Sequence, residues 1–160
     1  MRYISFLALL ISFSVFAKKE VKLYVSLTPA GSFEATSEKL KGNVIKKGNT
    51  ITADKLWVSI ESMKTGIDLR DEHFWKHLNS NKHPKAVLTN VKGENGRAQG
   101  ILEINGVKKP VAIAYAEKDG HVIAKFNTKA SAFNLKKAEY LGVGVSDDVN
   151  VEATYPIVKK

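Results

Sequence analysis

Residues 65–78 bring together side chains suited to acid–base or metal chemistry. His73 and His77 are four positions apart, a spacing that puts two imidazoles on one face of a helix, where they can bind a metal ion. Glu72 lies beside His73, and Asp147-Asp148 forms a second group of neighbouring acids, so general acid–base chemistry is also conceivable. These groups make a histidine-dependent metal or heme enzyme one hypothesis for the chain.

The rest of the sequence gives this hypothesis little support. His83 is a candidate third ligand, but no acid or cysteine recurs at a matching spacing. Ser62, Ser80 and Ser131 lack the context of a nucleophile elbow. Asp147-Asp148 is explained more simply as a turn before the last strand. The sequence therefore predicts no catalytic residue, no metal site and no cofactor, and a protein that is not an enzyme.

The same segment predicts a short α-helix around residues 68–80. Asp68 is placed as its N-cap and Asp71 as the acid of a capping box. Arg70 has two interpretations: it pairs with one of these aspartates, or it meets an anionic head group. The apolar side of the helix is formed by Phe74, Trp75 and Leu78.

Residues 1–17 have the pattern of a secretory signal. Arg2 precedes an apolar run, and Ala17 ends a suitable cleavage site. The run is short for a membrane span, although a retained anchor is the alternative. We therefore predict a cleaved signal peptide, a single domain over residues 18–160, and a periplasmic or secreted location. The absence of cysteine excludes disulfides, a catalytic thiol and cysteine metal sites.

The chain is basic, with a formal net charge of +9. Its lysines come in pairs, such as Lys46-Lys47 and Lys108-Lys109, spread over predicted turns and the chain end rather than gathered with aromatic residues. This spread is typical of solvated loops and disfavours nucleic-acid binding. Transient contact with an anionic membrane surface stays open.

Alternating apolar residues dominate the remainder and predict half-buried antiparallel strands. Asn95-Gly96, Asn105-Gly106 and Asp119-Gly120 are strong signals for two-residue hairpins, and residues 47–49 are a weaker one. A long meander hides its edges by closing, so the sequence predicts an all-β antiparallel barrel of about eight strands plus one helix. A two-sheet sandwich is the alternative. Such a barrel can be filled by its own side chains or can hold a small ligand.

Several short motifs, in order along the chain, resemble the YceI-like family of secreted lipid-binding proteins. The motifs that carry this resemblance are Ser32-Phe33, Gly42, Thr65-Gly66, the residues from Arg70 to His73, Pro84, the stretch from Gly100 to Val111, and the stretch from Val145 to Val151. The resemblance implies a lipocalin-like barrel with an elongated apolar cavity for a long-chain isoprenoid or other amphiphilic lipid. Many members carry a histidine in the first strand, and Leu23-Tyr24-Val25-Ser26 has none.

The leading hypothesis is therefore a lipid-binding protein for transport, storage or sensing. Arg70 and His73 are the candidates for contact with a polar head group. A stress-related or interaction barrel with a filled lumen is the alternative, and a homodimer stays open. The predicted cavity-lining residues are Val21, Leu23, Val25, Phe33, Leu56, Val58, Ile60, Phe74, Trp75, Leu78, Leu102, Ile104, Ile113 and Phe126.

Overall fold

A computed structural model describes residues 18–160 of the chain. The predicted signal peptide and its cleavage site after Ala17 lie outside the described residues, so the division of the chain at this point stays a prediction. Within residues 18–160, no helix combines the length and the apolar character needed to span a bilayer.

The described chain is mostly β-structure, with one α-helix and two short 3₁₀ turns. The 3₁₀ turns are Ile60–Ser62 and Ala130–Phe133, and the helix α1 is Asp68–His77. The ten strands are β1 Glu20–Thr28, β2 Ser32–Ser37, β3 Val44–Lys47, β4 Thr50–Ser59, β5 Lys85–Glu94, β6 Arg97–Ile104, β7 Val107–Lys118, β8 His121–Lys129, β9 Glu139–Tyr140 and β10 Val143–Lys159.

The sheet closes into a barrel, which confirms the predicted fold class. Strands β3 to β8 follow one another, and the long strand β10 pairs with both β8 and β3, so seven strands form the ring. Strand β1 pairs with residues 144–154 of β10, and β2 pairs with β1, so both continue the wall there. All pairings are antiparallel except that of β3 with the end of β10, which is parallel. The sheet is thus slightly more mixed than the sequence predicted.

Three tight turns fix the register of the meander and confirm the hairpin predictions. Asn95-Gly96, Asn105-Gly106 and Asp119-Gly120 join β5 to β6, β6 to β7 and β7 to β8, and all six residues have positive φ. This is the backbone of a type I′ turn, which only glycine and short polar residues adopt at low cost. Because side chains alternate along each strand, the fixed register decides which residues face inward.

Helix α1 covers one end of the barrel, and its start differs from the prediction. The helix begins at Asp68, and Ile67 occupies the N-cap position without a side-chain cap. Asp71 is instead the anchoring acid, since its carboxylate accepts hydrogen bonds from the backbone N–H and the hydroxyl of Thr65. The helix entry is therefore fixed by a side chain three residues inside the helix.

Candidate functional site

A single large cavity runs through the interior of the barrel. Its volume is about 1030 Å³, which is at the upper end of the range of about 300–1,000 Å³ for small-molecule sites. One end is lined by the buried residues Val21 and Tyr155 and is the closed end. The other end, among α1, the 3₁₀ turn Ala130–Phe133 and the hairpin between β9 and β10, is lined by exposed residues and is the open end. The lumen is consequently not filled by its own side chains, unlike the alternative considered from sequence.

Nearly all of the residues predicted to line a cavity lie on its wall. They come from β1, β2, β4, β6, β7, β8, the first 3₁₀ turn and α1. The lining includes Val21, Leu23, Val25, Phe33, Leu56, Val58, Ile60, Phe74, Leu78, Leu102, Ile104, Ile113 and Phe126, together with Arg70 and His73. Contact of these residues with a ligand stays a prediction.

Trp75 is the exception, because it does not line the cavity. Its indole N–H donates to the backbone carbonyl of Met63 at 2.9 Å, and the ammonium of Lys64 lies 4.3 Å from the ring centroid. Phe74, one residue earlier on the helix, does face the cavity. Trp75 therefore pins the helix to the segment that precedes it rather than shaping the lumen.

Asp71 holds the helix over the open end. The residue is 2% exposed, and its Oδ1 lies 2.7 Å from both the N and the Oγ1 of Thr65. The Lys64 ammonium lies 3.5 Å from Oδ2. Burial alone would raise the pKa of this carboxyl, but the hydrogen bonds from Thr65 and the charge of Lys64 outweigh it and lower the pKa below its ordinary value.

Arg70 lies at the cavity mouth and does not pair with either aspartate, contrary to one of the two interpretations. Its Nη2 donates to the carbonyl of Thr65 at 2.9 Å, and its guanidinium carbon lies 4.8 Å from the centroid of the Phe33 ring. Since a guanidinium has five N–H donors, this arrangement leaves donors beyond the one used. A cation held against an aromatic ring at the mouth is suited to an anionic or carbonyl group.

The histidines are spread over different environments. His73 is exposed at the mouth, where its ring centroid lies 5.6 Å from that of Tyr140. His77 is partly buried, and burial lowers its pKa. His83 lies beside Gly106 in the turn between β6 and β7. Within residues 18–160, no three His, Cys, Asp or Glu residues are grouped so that they could hold a metal ion, so the metal hypothesis gains no support.

The segment from residue 130 to 146 is the part of the site that the sequence did not reveal. It supplies the fully buried Phe133 and the exposed Tyr140 and Leu141, all of which line the cavity. Its apolar residues are separated by lysines and follow neither a helical nor a strand period. The inward face of β10, including Val151 and Tyr155, was also not assigned to the site, although its alternation is the cleanest in the chain.

The charged groups of the cavity lining lie at its mouth. The charged residues of the lining are Arg70, Lys76, Lys137 and Glu139, and all four belong to the mouth. At the closed end, the Tyr155 hydroxyl lies 3.5 Å from the Lys41 carbonyl, and burial raises the pKa of this phenol. An apolar tube with a mainly cationic mouth suits a long apolar molecule with one polar end.

Solved structures of similar fold come from several bacteria. BcnA of Burkholderia cenocepacia has a TM-score of 0.63 and 16% identity over 84% of this chain and 94% of that chain. A polyisoprenoid-binding domain of Saccharophagus degradans, implicated in plant cell wall breakdown, has a TM-score of 0.57 and 13% identity over 85% and 91%. The YceI protein of Campylobacter jejuni has a TM-score of 0.52 and 20% identity over 74% and 80%. At these identities the likeness shows a shared fold.

Family membership follows from the sequence itself. No curated protein matches the chain. The family model described as a YceI-like domain, however, matches residues 11–156. This match covers almost the whole described barrel, including the helix at its mouth and the long closing strand. The chain therefore belongs to the YceI-like domain family.

Proposed function

We propose that this protein is a non-catalytic binding protein that holds a long-chain amphiphilic lipid of the isoprenoid type in its barrel. The observation that carries the proposal is the cavity of about 1030 Å³, whose wall is apolar along its length and charged only at the mouth. The polyisoprenoid-binding domain of S. degradans, which shares the fold, supports this ligand class. We place the protein in the periplasm or outside the cell, where it would transport, store or sense such lipids.

Apolar burial is sufficient to drive this binding. Each buried methylene contributes about 0.8 kcal/mol, so burying about ten of them gives about 8 kcal/mol before the cost of ordering the ligand. That value corresponds nominally to about micromolar affinity. No catalytic residue, metal or cofactor is needed.

The polar end of the lipid is proposed to stay at the mouth, near Arg70 and His73. Placing it at the closed end would desolvate the head group beside apolar side chains, with the Tyr155 hydroxyl as the nearest polar group. At the mouth, Arg70 offers a planar guanidinium already positioned by Thr65 and Phe33. Arg70→Met is therefore expected to weaken binding of acidic lipids more than of neutral lipids with the same chain.

The partners in this proposal are the lipid and, transiently, an anionic membrane surface. Nucleic acid is not among them. A homodimer stays a prediction, and so does the periplasmic or secreted location, which cell fractionation would check.

The first test identifies any lipid that is bound to the purified protein. Protein purified without detergent is extracted with organic solvent, and the extract is examined by mass spectrometry. Titration with a fluorescent isoprenoid lipid then measures saturable binding. A protein that yields no lipid and shows no saturable binding would contradict the proposal.

A matched pair of variants tests whether the lumen is the binding site. Ala153→Phe places a ring inside the cavity, because Ala153 lines it. Ala112→Phe makes the same change on the exposed outer face of β7. If the ring displaces two methylenes of the ligand, about 1.6 kcal/mol is lost, which weakens binding roughly tenfold. Equal affinities for the two variants would show that the lipid binds elsewhere.

A further inference from the structure

The open end of the barrel carries most of the large apolar side chains that the described chain exposes. Seven such residues are exposed within residues 18–160, and five of them line the cavity mouth. We name these five the mouth rim. They are Ile67, Leu69, Tyr140, Leu141 and Val143, and their exposed fractions are 54%, 57%, 61%, 87% and 39%. Exposed apolar residues scattered singly are ordinary, but a group around the opening of a cavity marks a contact surface.

Two separate elements contribute to the mouth rim, and one contact joins them. Ile67 and Leu69 come from the start of α1, while the other three residues come from the hairpin between β9 and β10. The rings of His73 on the helix and Tyr140 on the hairpin lie 5.6 Å apart between their centroids. The rim is therefore a continuous feature of the folded barrel rather than two independent loops.

The turn at the tip of this hairpin has an unusual residue. Leu141-Gly142 is a two-residue turn between the paired residues Tyr140 and Val143, with φ values of 49° and 78°. The three turns from β5 to β8, Asn95-Gly96, Asn105-Gly106 and Asp119-Gly120, have nearly the same φ values, but Asn or Asp stands where this turn has leucine. Positive φ is costly for a branched apolar residue, whereas Asn and Asp tolerate it.

The residue type at position 141 is therefore not explained by the needs of the turn. The barrel forms the same turn three times with a residue suited to it. At the mouth it accepts a less suitable residue whose side chain is 87% exposed. Leu141 therefore gains little from burial in this chain, and its apolar side chain is free to contact a surface outside it.

The charge of the protein indicates which kind of surface the mouth rim would contact. The whole chain carries +9, and the charged residues of the cavity lining, all at the mouth, are three cations and one acid. Lys136 adds a further cation beside the hairpin, while Asp68 and Glu72 add acids on the helix. The net positive charge of the protein attracts it to an anionic surface, and insertion of the exposed apolar side chains of the mouth rim selects the orientation.

We propose that the mouth rim docks on the surface of an anionic phospholipid bilayer, with the cavity opening toward the lipid. This inference rests on the proposed function, because docking in this orientation would let an insoluble lipid pass between bilayer and barrel without crossing water. Tyr140 has the amphipathic ring typical of the bilayer interface, and Leu141 would enter the acyl boundary.

The test is vesicle binding by Leu141→Asn. Asparagine suits the positive φ of the turn, so this variant is expected to melt a few degrees higher than the natural protein. Its partition onto vesicles of phosphatidylcholine and phosphatidylglycerol in equal parts is expected to fall about tenfold, because one exposed leucine no longer enters the bilayer. Val158→Asn removes another exposed apolar side chain, 41% exposed, at the far end of β10, and its partition should not change.

The protein is used in the form that the expressing cell secretes, with its N-terminus determined by mass spectrometry. We expect weaker binding to pure phosphatidylcholine vesicles and partial loss of binding at high salt, because salt screens only the charge contribution. Equal partition of the two variants would overturn the proposal. So would a soluble dimer that Leu141→Asn dissociates, since the rim would then be covered by a second copy.

The same preparations separate this inference from the proposed function. Solvent extraction that yields lipid, from a protein that does not bind vesicles, would refute docking and leave the lipid cavity intact. Vesicle binding that depends on Leu141, in a protein with neither extracted lipid nor saturable lipid binding, would refute the lipid cavity and leave docking intact.

Discussion

Replacing Asp71 with asparagine tests whether one buried carboxylate holds the helix over the cavity mouth. The substitution keeps the shape of the side chain and removes its charge. In the folded protein this carboxylate accepts two hydrogen bonds from Thr65 at 2.7 Å and lies 3.5 Å from the Lys64 ammonium. We expect Asp71→Asn to destabilise the barrel and to loosen α1.

The magnitude follows from these contacts. A hydrogen bond to a charged group contributes about 1.5–3 kcal/mol and one between neutral groups about 0.5–1.5 kcal/mol, so each bond from Thr65 loses about 1 kcal/mol. The Lys64 side chain is 56% exposed, and its ion pair adds little because solvent screens it. The expected loss is therefore about 2 kcal/mol, or about 6–8 °C in the melting temperature of a domain of this size.

The loss should depend on pH in a definite direction. The folded-state pKa of Asp71 is lowered from its ordinary value of 3.8. Its charge therefore contributes stability that is complete above the pKa of the unfolded chain and is lost as the pH falls through the lower, folded-state pKa. The difference in free energy of unfolding between the natural protein and Asp71→Asn should be constant near neutral pH. It should shrink as the pH falls below 3.8.

Urea denaturation at several pH values measures this difference. Glu72→Gln is the matched control, because Glu72 is the next residue on the helix, carries the same charge and is exposed. Thr65→Val removes only the hydroxyl bond and completes a double-mutant cycle. Its cost should be about 1 kcal/mol smaller when asparagine already occupies position 71, because the hydroxyl then donates to a neutral acceptor. If Asp71→Asn and Glu72→Gln lower the free energy of unfolding equally, or if the changes at positions 65 and 71 are additive, the carboxylate of Asp71 does not hold the helix through Thr65.

Four further substitutions test the frame around the cavity. Trp75→Phe keeps most of the aromatic surface and loses the hydrogen bond to a backbone carbonyl, so urea denaturation should show a loss of about 1 kcal/mol, whereas no change would mean that this bond does not hold the helix. Gly42→Ala should cost about 2 kcal/mol or more, because its backbone has φ of +101° and a Cβ would lie 2.2 Å from a backbone oxygen. Gly48→Ala, with φ of +60° and open space, should cost only about 1 kcal/mol, and equal costs would contradict the steric argument. The pKa of His77 is lowered by burial from its ordinary value of 6.5, so stability should fall as the pH drops below 6.5. His77→Gln should make stability depend less on pH in this range. A midpoint at or above 6.5 in an NMR titration of His77 would contradict this prediction.

Local sequence signals predicted the wall of the barrel well. Asn-Gly and Asp-Gly pairs require a backbone that few other residues adopt, so three hairpins were readable from the sequence. The turns fix the register, and the alternation along β1, β4, β6 and β8 then shows which residues face inward. Val21, Leu56, Leu102 and Phe126, which this alternation predicts to face inward, lie on the cavity wall.

The residues around the cavity mouth could not be placed from local sequence signals. Residues 130–146 have neither period, and their position depends on β10 returning between β1 and β8, a pairing that joins distant parts of the chain. The partners of Asp71 and Trp75 likewise depend on how the chain enters the helix. A helical period cannot say which side of a short helix meets the barrel when both sides carry aromatic rings.

An all-β fold, its tight turns and most of the apolar faces could be predicted from the sequence, because they depend on backbone preference and period-two alternation within single strands. Three features at the end that residues 65–78 cover emerged only in the folded barrel. Folding turned Trp75 away from the lumen, made Asp71 an anchor and gathered the exposed apolar side chains around the opening. These features arise from contacts between segments far apart in the chain, which no local pattern specifies. The volume of the cavity likewise follows from closure of the whole ring rather than from any one strand.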